Sequence, residues 1–245
     1  MRTVVITQAR TGSTRLPGKI FKEVLGKPLL EYHLERLREI KNAEAIVVAT
    51  TDKSADDKVF NFCREKKINC FRGSEDDVLD RYYRTAGEYE AEAVVRVTSD
   101  CPLIDPEVVD GVIAAFLENA GRFDYASNTL VRTYPRGLDC EIFPKTVLDE
   151  IHGLTAEKTD REHVTAYIYR HPEKYRLLNV PRLLDVSHYR WTVDTADDFE
   201  LVSRMLEALY PRKPEFRLED CLQLFEQHPD WEAINRHIVQ KALEE

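Results

Sequence analysis

Residues 3–19 of the chain read TVVITQARTGSTRLPGK, a β-branched run that ends in a loop of small residues carrying Arg10, Arg15 and Lys19. Between residues 7 and 27, five Lys or Arg side chains accompany a single acid, although the whole chain has a formal net charge of -9. A strand that leads into a Gly/Ser/Thr loop exposes backbone N–H groups to phosphate oxygens, and cationic side chains add charge-assisted hydrogen bonds. The stretch therefore predicts a first strand followed by a phosphate-binding loop.

The loop differs from the two common phosphate-binding motifs. Gly12 and Gly18-Lys19 enclose five residues instead of the four of a Walker A sequence, and Ile20 stands where that motif has Ser or Thr. The G-x-G-x-x-G spacing of a dinucleotide-binding fold is missing as well. The alternative is a solvated basic turn around Pro17-Gly18. The contrast between local and overall charge favours phosphate binding.

Composition sets the class of protein. With 245 residues and 43% hydrophobic content, the chain is long enough for one large domain, and we expect a single domain over 1–245. The acidic balance, with a pI of about 5.4, argues against nucleic acid as a partner. The five cysteines are scattered and include no C-x-x-C pair, which fits a reducing cytoplasm. We find no leader and no apolar run of about 18 residues, so we expect a cytoplasmic protein with no membrane partner.

The spacing of apolar residues predicts a parallel sheet. Strand-like runs at 3–9, 45–50 and 93–98 alternate with amphipathic helical stretches, an order typical of α/β folds. Pro28 is expected to begin a helix that ends near Ile40. Further helices are predicted over roughly 55–67 and 75–87, with capping boxes at Ser54 and Ser74, and from Asp105-Pro106 onward.

The second half of the chain has a looser pattern. Strands are expected at 124–128, 138–143 and 189–194, and helices near 144–152 and 160–170, so the sheet becomes mixed there. Thr195 and Asp198 form a capping box for a helix that ends near residue 209. Two more helices are predicted over 218–242.

Two acids follow predicted strands. Because ligands of open parallel sheets gather beyond the carboxyl ends of the strands, Asp100 and Asp194 could supply oxygens to a divalent cation that also binds triphosphate and water. The alternative for Asp100 is a turn residue before Pro102. The alternative for Asp194 is a helix cap, but Thr195 with Asp198 already meets that need.

Two other segments carry candidate polar sites. Strand alternation puts Asp139 and Glu141 on one face, which is typical either of a polar cleft or of an exposed acidic strand face. On a helix over 160–170, His163, Tyr167 and Arg170 would share one side and could bind a sugar or a partner subunit. A histidine in such a helix is more often a packing or surface residue than a catalytic one.

Taken together, the motifs resemble those of a known family. The segments ITQARTGSTRLPGK, VATTD, RGSEDDVLDRYY, RVTSDCPLID, GLDCEIF, DREHVTAYIY and RWTVDTADDFE resemble the cytidylyltransferases of the spore coat polysaccharide biosynthesis protein F type. These are relatives of CMP-Kdo and acylneuraminate cytidylyltransferases. The resemblance covers about residues 3–205. It implies a Rossmann-like nucleotide-diphospho-sugar transferase fold, with a mostly parallel sheet flanked by helices and a mixed-sheet insertion at roughly 120–185 for acceptor binding and dimerisation.

The resemblance also implies site residues. Arg15, Lys19 and Asp100 would be catalytic, and Asp100 with Asp194 would bind Mg²⁺. The predicted nucleotide-binding set is Ala9, Arg10, Thr11, Gly12, Ser13, Arg15, Lys19, Thr51, Asp52, Arg72, Ser74 and Ser99. The predicted acceptor-binding set is Asp139, Glu141, Arg161 and His163, with Arg132, Arg136 and Arg161 as candidates for an acceptor carboxylate.

The expected reaction is transfer of CMP from CTP to a sugar acid or related sugar acceptor by a homodimeric enzyme, with release of pyrophosphate. Magnesium would bridge the α-phosphate and the acceptor oxygen, while Arg15 and Lys19 neutralise pyrophosphate. Three alternatives stay open. One is a sugar-1-phosphate nucleotidyltransferase using another NTP, one is a metal-dependent glycosyltransferase with Asp139 and Glu141 as metal ligands, and one is a silent nucleotide-binding protein.

Overall fold

A seven-stranded mixed sheet forms the centre of the computed structural model, which describes residues 1–240. The strands are β1 (Thr3–Gln8), β2 (Glu23–Val24), β3 (Lys27–Pro28), β4 (Ala45–Thr51), β5 (Asn69–Gly73), β6 (Ala93–Thr98), β7 (Tyr125–Ser127), β8 (Glu141–Pro144) and β9 (Leu177–Asn179). The order in the main sheet is β5-β4-β1-β6-β8-β7-β9, and β2 and β3 form a separate hairpin.

The first half of the sheet is parallel, as predicted. Strand β1 lies between β4 and β6, and β5 extends the sheet beyond β4, all in parallel. Strand β8 then pairs antiparallel with both β6 and β7, and β9 pairs parallel with β7. The predicted change to a mixed sheet in the middle region is therefore confirmed.

Helices cover both faces of the sheet. They are α1 (Leu29–Leu37), α2 (Asp57–Glu65), α3 (Val78–Glu88), α4 (Pro106–Glu118), α5 (Lys145–Leu154), α6 (Lys158–His163), α7 (Ala166–Arg170), α8 (Ala196–Leu209), α9 (Leu218–Gln227) and α10 (Glu232–Asn235). Alternate residues of β1 face opposite sides, so Val5 packs with α1 and α4 residues while Val4 and Ile6 pack with α3 and α5 residues. No helix within residues 1–240 is long and apolar enough to cross a membrane.

Two of the predicted strands differ in the structure. Residues 189–194 are not a strand, since their only ladder contact is an isolated bridge between Arg136 and Arg190. Trp191 and Val193 are buried against helices α8 and α9, and this packing explains the alternating apolar pattern. The strand expected at 138–143 begins only at Glu141. Strand β5 was missed because its sequence, NCFRG, is short and lies at the sheet edge.

Several helix starts were placed wrongly. Ser54 begins a 3₁₀ turn without a side-chain cap, and α2 starts at Asp57. The cap of α3 is Asp77, whose carboxylate accepts from the Asp80 N–H, so the helix starts after the predicted Ser74.

The predicted helix over 160–170 is two short helices, because Val164 has a φ of 62°. His163, Tyr167 and Arg170 therefore do not share one helix side.

The C-terminal part agrees better with the sequence prediction. Thr195 and Asp198 form the predicted capping box, and α8 ends at Leu209. Near the N-terminus, Pro28 is the N-cap of α1, and that helix ends at Leu37 instead of near Ile40 as predicted. The two helices predicted over 218–242 are α9 and α10, and positions 241–242 lie outside the described residues.

Candidate active site

Two cavities meet at the carboxyl end of strands β1 and β6. The loop cavity, of about 340 Å³, is lined by residues 8–10, by 12–15 of the first loop and by Val78 and Arg81 of α3. The large cavity, of about 720 Å³, is lined by residues of β6, of the segment 129–139 and of the 163–169 region. Arg15, Thr98, Asp100, His163 and Asp194 line both cavities. A ligand in one cavity would thus reach a ligand in the other at this junction.

The junction contains a cation held between two carboxylates. The Nζ of Lys19 donates to Asp100 Oδ2 at 2.6 Å and to Asp194 Oδ1 at 2.7 Å. Asp194 also accepts from Arg15 at 2.8 Å and from Arg190 at 2.9 Å. The two predicted metal ligands therefore lie together around one positive nitrogen, and the predicted phosphate ligands Arg15 and Lys19 are both bound to them.

Burial and charge have opposite effects on these groups. Burial by itself would raise the pKa of the Asp100 carboxyl, but the Lys19 ammonium outweighs it and lowers that pKa to about 2. For Lys19, burial would lower the pKa of the ammonium, and the two carboxylates instead raise it. Asp100 and Lys19 are therefore both charged at neutral pH.

Backbone contacts bring Asp194 to Asp100 although residues 189–194 are not a strand. The Val193 N–H donates to the Asp100 carbonyl at 2.9 Å, and the Trp191 N–H donates to the Arg136 carbonyl at 2.7 Å. Gly137 has a φ of +106°, and a Cβ there would lie 2.7 Å from the Thr192 nitrogen. Only glycine fits this close approach.

The first loop is fixed by an acid that the sequence analysis did not single out. Asp56 accepts from the Thr11 N–H at 2.7 Å and from the Thr11 hydroxyl at 2.8 Å. Thr11 does not line the loop cavity, and its hydrogen bonds to Asp56 anchor the first loop. The N–H groups of Gly12, Thr14 and Arg15 donate to no acceptor among residues 1–240 and remain available for phosphate oxygens.

The predicted nucleotide-binding residues separate into two groups. Ala9, Arg10, Gly12, Ser13, Arg15, Lys19 and Ser99 all line the loop cavity. Thr51, Asp52, Arg72 and Ser74 line neither cavity. Thr51 is fully buried and donates to Asp56, while Arg72 donates to the Thr51 and Lys53 carbonyls and pairs with Asp57. The polar groups of Thr51 and Arg72 hold the loop and β5 together, away from both cavities.

The acceptor prediction is divided in the same way. Asp139, Glu141 and His163 line the large cavity, and Arg161 does not, because its guanidinium is bound to Asp77 at the start of α3. Asp139 is paired through both oxygens with Arg132, at 2.5 and 2.7 Å.

Glu141 is a buried hub and not an exposed acidic strand face. Its carboxylate accepts from Arg96, from the Tyr125 hydroxyl at 2.5 Å and from the Thr165 hydroxyl at 2.6 Å. Glu141 is only 7% exposed. Most of the hydrogen-bonding capacity of the Glu141 carboxylate is therefore used by residues of the cavity wall.

The polar cavity residues that were absent from the predicted site include Gln8, Arg81 and Arg96. Gln8 could have been found from its position just before the basic loop, at the end of β1. Arg81 lies in an amphipathic helix and Arg96 lies in a strand. A single polar residue in either pattern does not indicate a functional role. Arg136 was named only as one of three candidates for an acceptor carboxylate.

A neutral histidine, His33, supports the turn that contains Asp100 through the neighbouring residue Cys101. His33 is fully buried, its Nδ1 donates to the Cys101 carbonyl at 2.9 Å, and its Nε2 accepts from the Thr7 hydroxyl at 2.9 Å. The carbonyl can only accept, which places the proton on Nδ1. Burial lowers the pKa of His33 to about 4.

We expect the free energy of unfolding to fall as the pH decreases from about 6.5 to about 4. In this interval His33 is protonated in the unfolded chain but stays neutral in the native protein. The loss reaches about 3 kcal/mol, since one pKa unit corresponds to about 1.4 kcal/mol. Urea unfolding at several pH values measures it. His33→Gln should have a flatter slope in this interval, and an unchanged slope would contradict the assignment.

Comparison with known proteins agrees with this architecture. The family model described as Cytidylyltransferase matches residues 4–231. The structure of a cytidylyltransferase from Leptospira borgpetersenii superimposes with a TM-score of 0.91 at 34% identity, covering 99% of this chain and 100% of that one. The predicted nucleotidyltransferase fold is thereby confirmed.

Two curated relatives extend the comparison. The spore coat polysaccharide biosynthesis protein SpsF of Bacillus subtilis is 34% identical over 92% of this chain and 94% of its own length. A 3-deoxy-manno-octulosonate cytidylyltransferase of Chlamydia trachomatis is 30% identical over 61% of this chain and 58% of its own length. The chain belongs to the cytidylyltransferase family.

Proposed function

We propose that the protein transfers CMP from CTP to an acidic sugar and releases pyrophosphate. The observation that carries this proposal is the Lys19 nitrogen held between Asp100 and Asp194 where the two cavities meet. A triphosphate bound by the first loop would present its α-phosphate at this junction, and an acceptor in the large cavity would reach the same point. The names of the Bacillus and Chlamydia relatives support a role in polysaccharide biosynthesis.

In the proposed reaction, an acceptor hydroxyl oxygen forms a bond to the α-phosphorus of CTP. The bond between that phosphorus and the oxygen bridging to the β-phosphate breaks, pyrophosphate leaves, and the hydroxyl proton passes to solvent. The N–H groups of Gly12, Thr14 and Arg15 would bind the phosphate chain, and Arg15 with Lys19 would neutralise the leaving group.

The carboxylate pair fits a divalent cation, for which we propose Mg²⁺. Asp100 and Asp194 already hold one positive group between them, and Mg²⁺ commonly takes one or two carboxylates with substrate phosphates and water. No group of three or more His, Cys, Asp or Glu side chains within residues 1–240 could hold a metal alone, so substrate oxygens would complete the shell. When bound, such an ion neutralises phosphate charge and acidifies a coordinated hydroxyl.

An unpaired arginine favours an acidic acceptor. In the large cavity Arg15 is bound to Asp194, Arg96 to Glu141 and Arg132 to Asp139. The half-buried guanidinium of Arg136 has no ion pair or side-chain hydrogen bond within the described chain. Burial lowers the pKa of Arg136, and repulsion from Arg132 lowers it further. A carboxylate of the acceptor would relieve both effects.

Arg136→Gln is expected to raise the KM for an acidic acceptor about tenfold or more, because a charge-assisted hydrogen bond to a carboxylate is lost. The KM for CTP should change by less than about twofold, since Arg136 lines only the large cavity. Steady-state kinetics at varied acceptor concentration measures both constants. Arg122→Gln, at an exposed position outside both cavities, is the matched control. An unchanged acceptor KM would contradict this role.

Pyrophosphate release tests the function as a whole. The protein is incubated with CTP, UTP, GTP or dTTP, with Mg²⁺ and a panel of sugar acids and sugar phosphates. We expect release with CTP and a sugar acid. Release only with another NTP and a sugar 1-phosphate would favour the alternative nucleotidyltransferase, and formation of a nucleoside diphosphate would favour a glycosyltransferase.

A further inference from the structure

Two buried polar atoms on the wall of the loop cavity have no hydrogen-bond partner among the described residues. They are the side-chain oxygen Oε1 of Gln8 and the Nε of Arg81. A buried polar atom without a partner costs free energy, and native proteins seldom leave such atoms unpaired. Here one orphan is an acceptor and the other is a donor, and both line the cavity assigned to the nucleotide.

The arginine is unusual because it has no counter-ion. Arg81 is 1% exposed and forms no ion pair within residues 1–240. One of its NH groups donates to the Ser74 carbonyl at 2.7 Å, and its stem packs against Gly73, where a Cβ would lie 3.2 Å from Arg81 Cγ. The side chain is therefore held in place while its Nε–H is left without an acceptor.

The glutamine lies on the same side of the sheet. Val4 and Ile6 pack with Val78 and other α3 residues, and the two-residue period of a strand puts Gln8 on that face too. The backbone of Gln8 is fixed by pairing with β4 and β6 and by the Ser99 hydroxyl, which donates to its carbonyl at 2.6 Å. The backbone position of Gln8 is thus set by the sheet.

An acceptor and a donor on the wall of one cavity can complement one edge of cytosine. That edge presents the N4 amino group as a donor and the ring N3 as an acceptor, whereas uracil presents the reverse pair. A glutamine amide can rotate to suit either base. An arginine can only donate, so the N3–H of uracil would face another N–H.

We propose that Gln8 and Arg81 select the base of the nucleotide, with Arg81 Nε–H donating to N3 of cytosine and Gln8 Oε1 accepting from its amino group. This assignment rests on the proposed CTP-dependent function and goes beyond it, because it names the residues that exclude uracil. It also adds two residues that were absent from the predicted nucleotide-binding set.

The test compares the Kd values of CTP and UTP, measured by calorimetry with Mg²⁺. The wild-type protein should bind CTP more tightly. Gln8→Leu and Arg81→Lys should each bring the ratio of the two Kd values closer to one by about tenfold or more, because a hydrogen bond that distinguishes the bases is lost. Gln223→Leu, at an exposed position of α9, is the matched control and should keep the wild-type ratio.

Inorganic tripolyphosphate serves as a probe of the phosphate site and of folding. Both variants should bind it within about twofold of the wild-type Kd, since neither proposed contact involves phosphate. A preserved CTP-to-UTP ratio in both variants would overturn the base-selection role. So would an equal loss of affinity for CTP, UTP and tripolyphosphate, which would assign these residues to the phosphates. A wild-type protein without preference for CTP would overturn the proposed function together with this inference.

Discussion

Replacing Asp100 with asparagine is expected to lower turnover on the order of 10³-fold, because one of the two charges that organise the reacting phosphate is removed. The Kd for CTP should change by less than about tenfold, since the first loop supplies most phosphate contacts. Asparagine keeps the size of the side chain, so the turn before Pro102 stays intact. Single-turnover kinetics and calorimetry with CTP separate the two effects.

Two further variants give this prediction its contrast. Arg15→Gln should damage both turnover and CTP affinity, because Arg15 lines both cavities. Asp149→Asn, an exposed change in the Lys145–Asp149 pair of α5, should leave both unchanged and is the matched control. Wild-type turnover in the Asp100→Asn protein would show that the carboxylate pair is not the reaction centre.

Glu141→Gln is expected to lower the free energy of unfolding by about 3 kcal/mol, because it leaves the buried Arg96 guanidinium without its counter-charge. The Glu141 carboxylate holds Arg96, Tyr125 and Thr165 together, so the loss would affect three elements of the cavity wall at once. The Glu141 carboxylate raises the pKa of Arg96 and so favours the charged form of that guanidinium. Urea unfolding measures the change.

The control for this prediction is Glu118→Gln, at the exposed end of α4, which should stay within about 0.5 kcal/mol of wild type. Replacing both partners, Arg96→Met with Glu141→Leu, should recover part of the lost stability, because an apolar pair leaves no unpaired charge while the Tyr125 and Thr165 hydroxyls still lose their acceptor. A loss below about 1 kcal/mol for Glu141→Gln would mean that the pair is solvated and that Glu141 is available to an acceptor.

Local signals in the sequence were sufficient for the parallel half of the sheet. The β-branched runs at β1, β4 and β6 and the helices between them depend on neighbouring residues, which one chain displays directly. The reversal of charge also drew attention to the first loop, and Arg10, Ser13 and Lys19 of that loop do line a cavity. The predicted pairing of Asp100 with Asp194 agrees with their shared contact to Lys19, although Asp194 does not follow a strand.

Contacts between distant segments could not be deduced in the same way. Thr51 and Arg72 have ordinary binding-site chemistry, yet their hydrogen bonds are used within the fold by partners such as Asp56 and Asp57. Arg161 is likewise bound to Asp77, which is 84 positions away in sequence. Whether a polar side chain is available to a ligand depends on which distant groups already satisfy it, and a linear pattern does not contain that information.

A crystal structure with CTP and Mg²⁺ would show whether the first loop and the Asp100–Asp194 pair form the reaction site. We expect the triphosphate along residues 10–15, with the α-phosphate beside Asp100 and Asp194 and the Lys19 ammonium moved from between the carboxylates to the phosphate chain. A nucleotide bound outside the loop cavity, or a Lys19 that keeps both carboxylate contacts while CTP is bound, would contradict it.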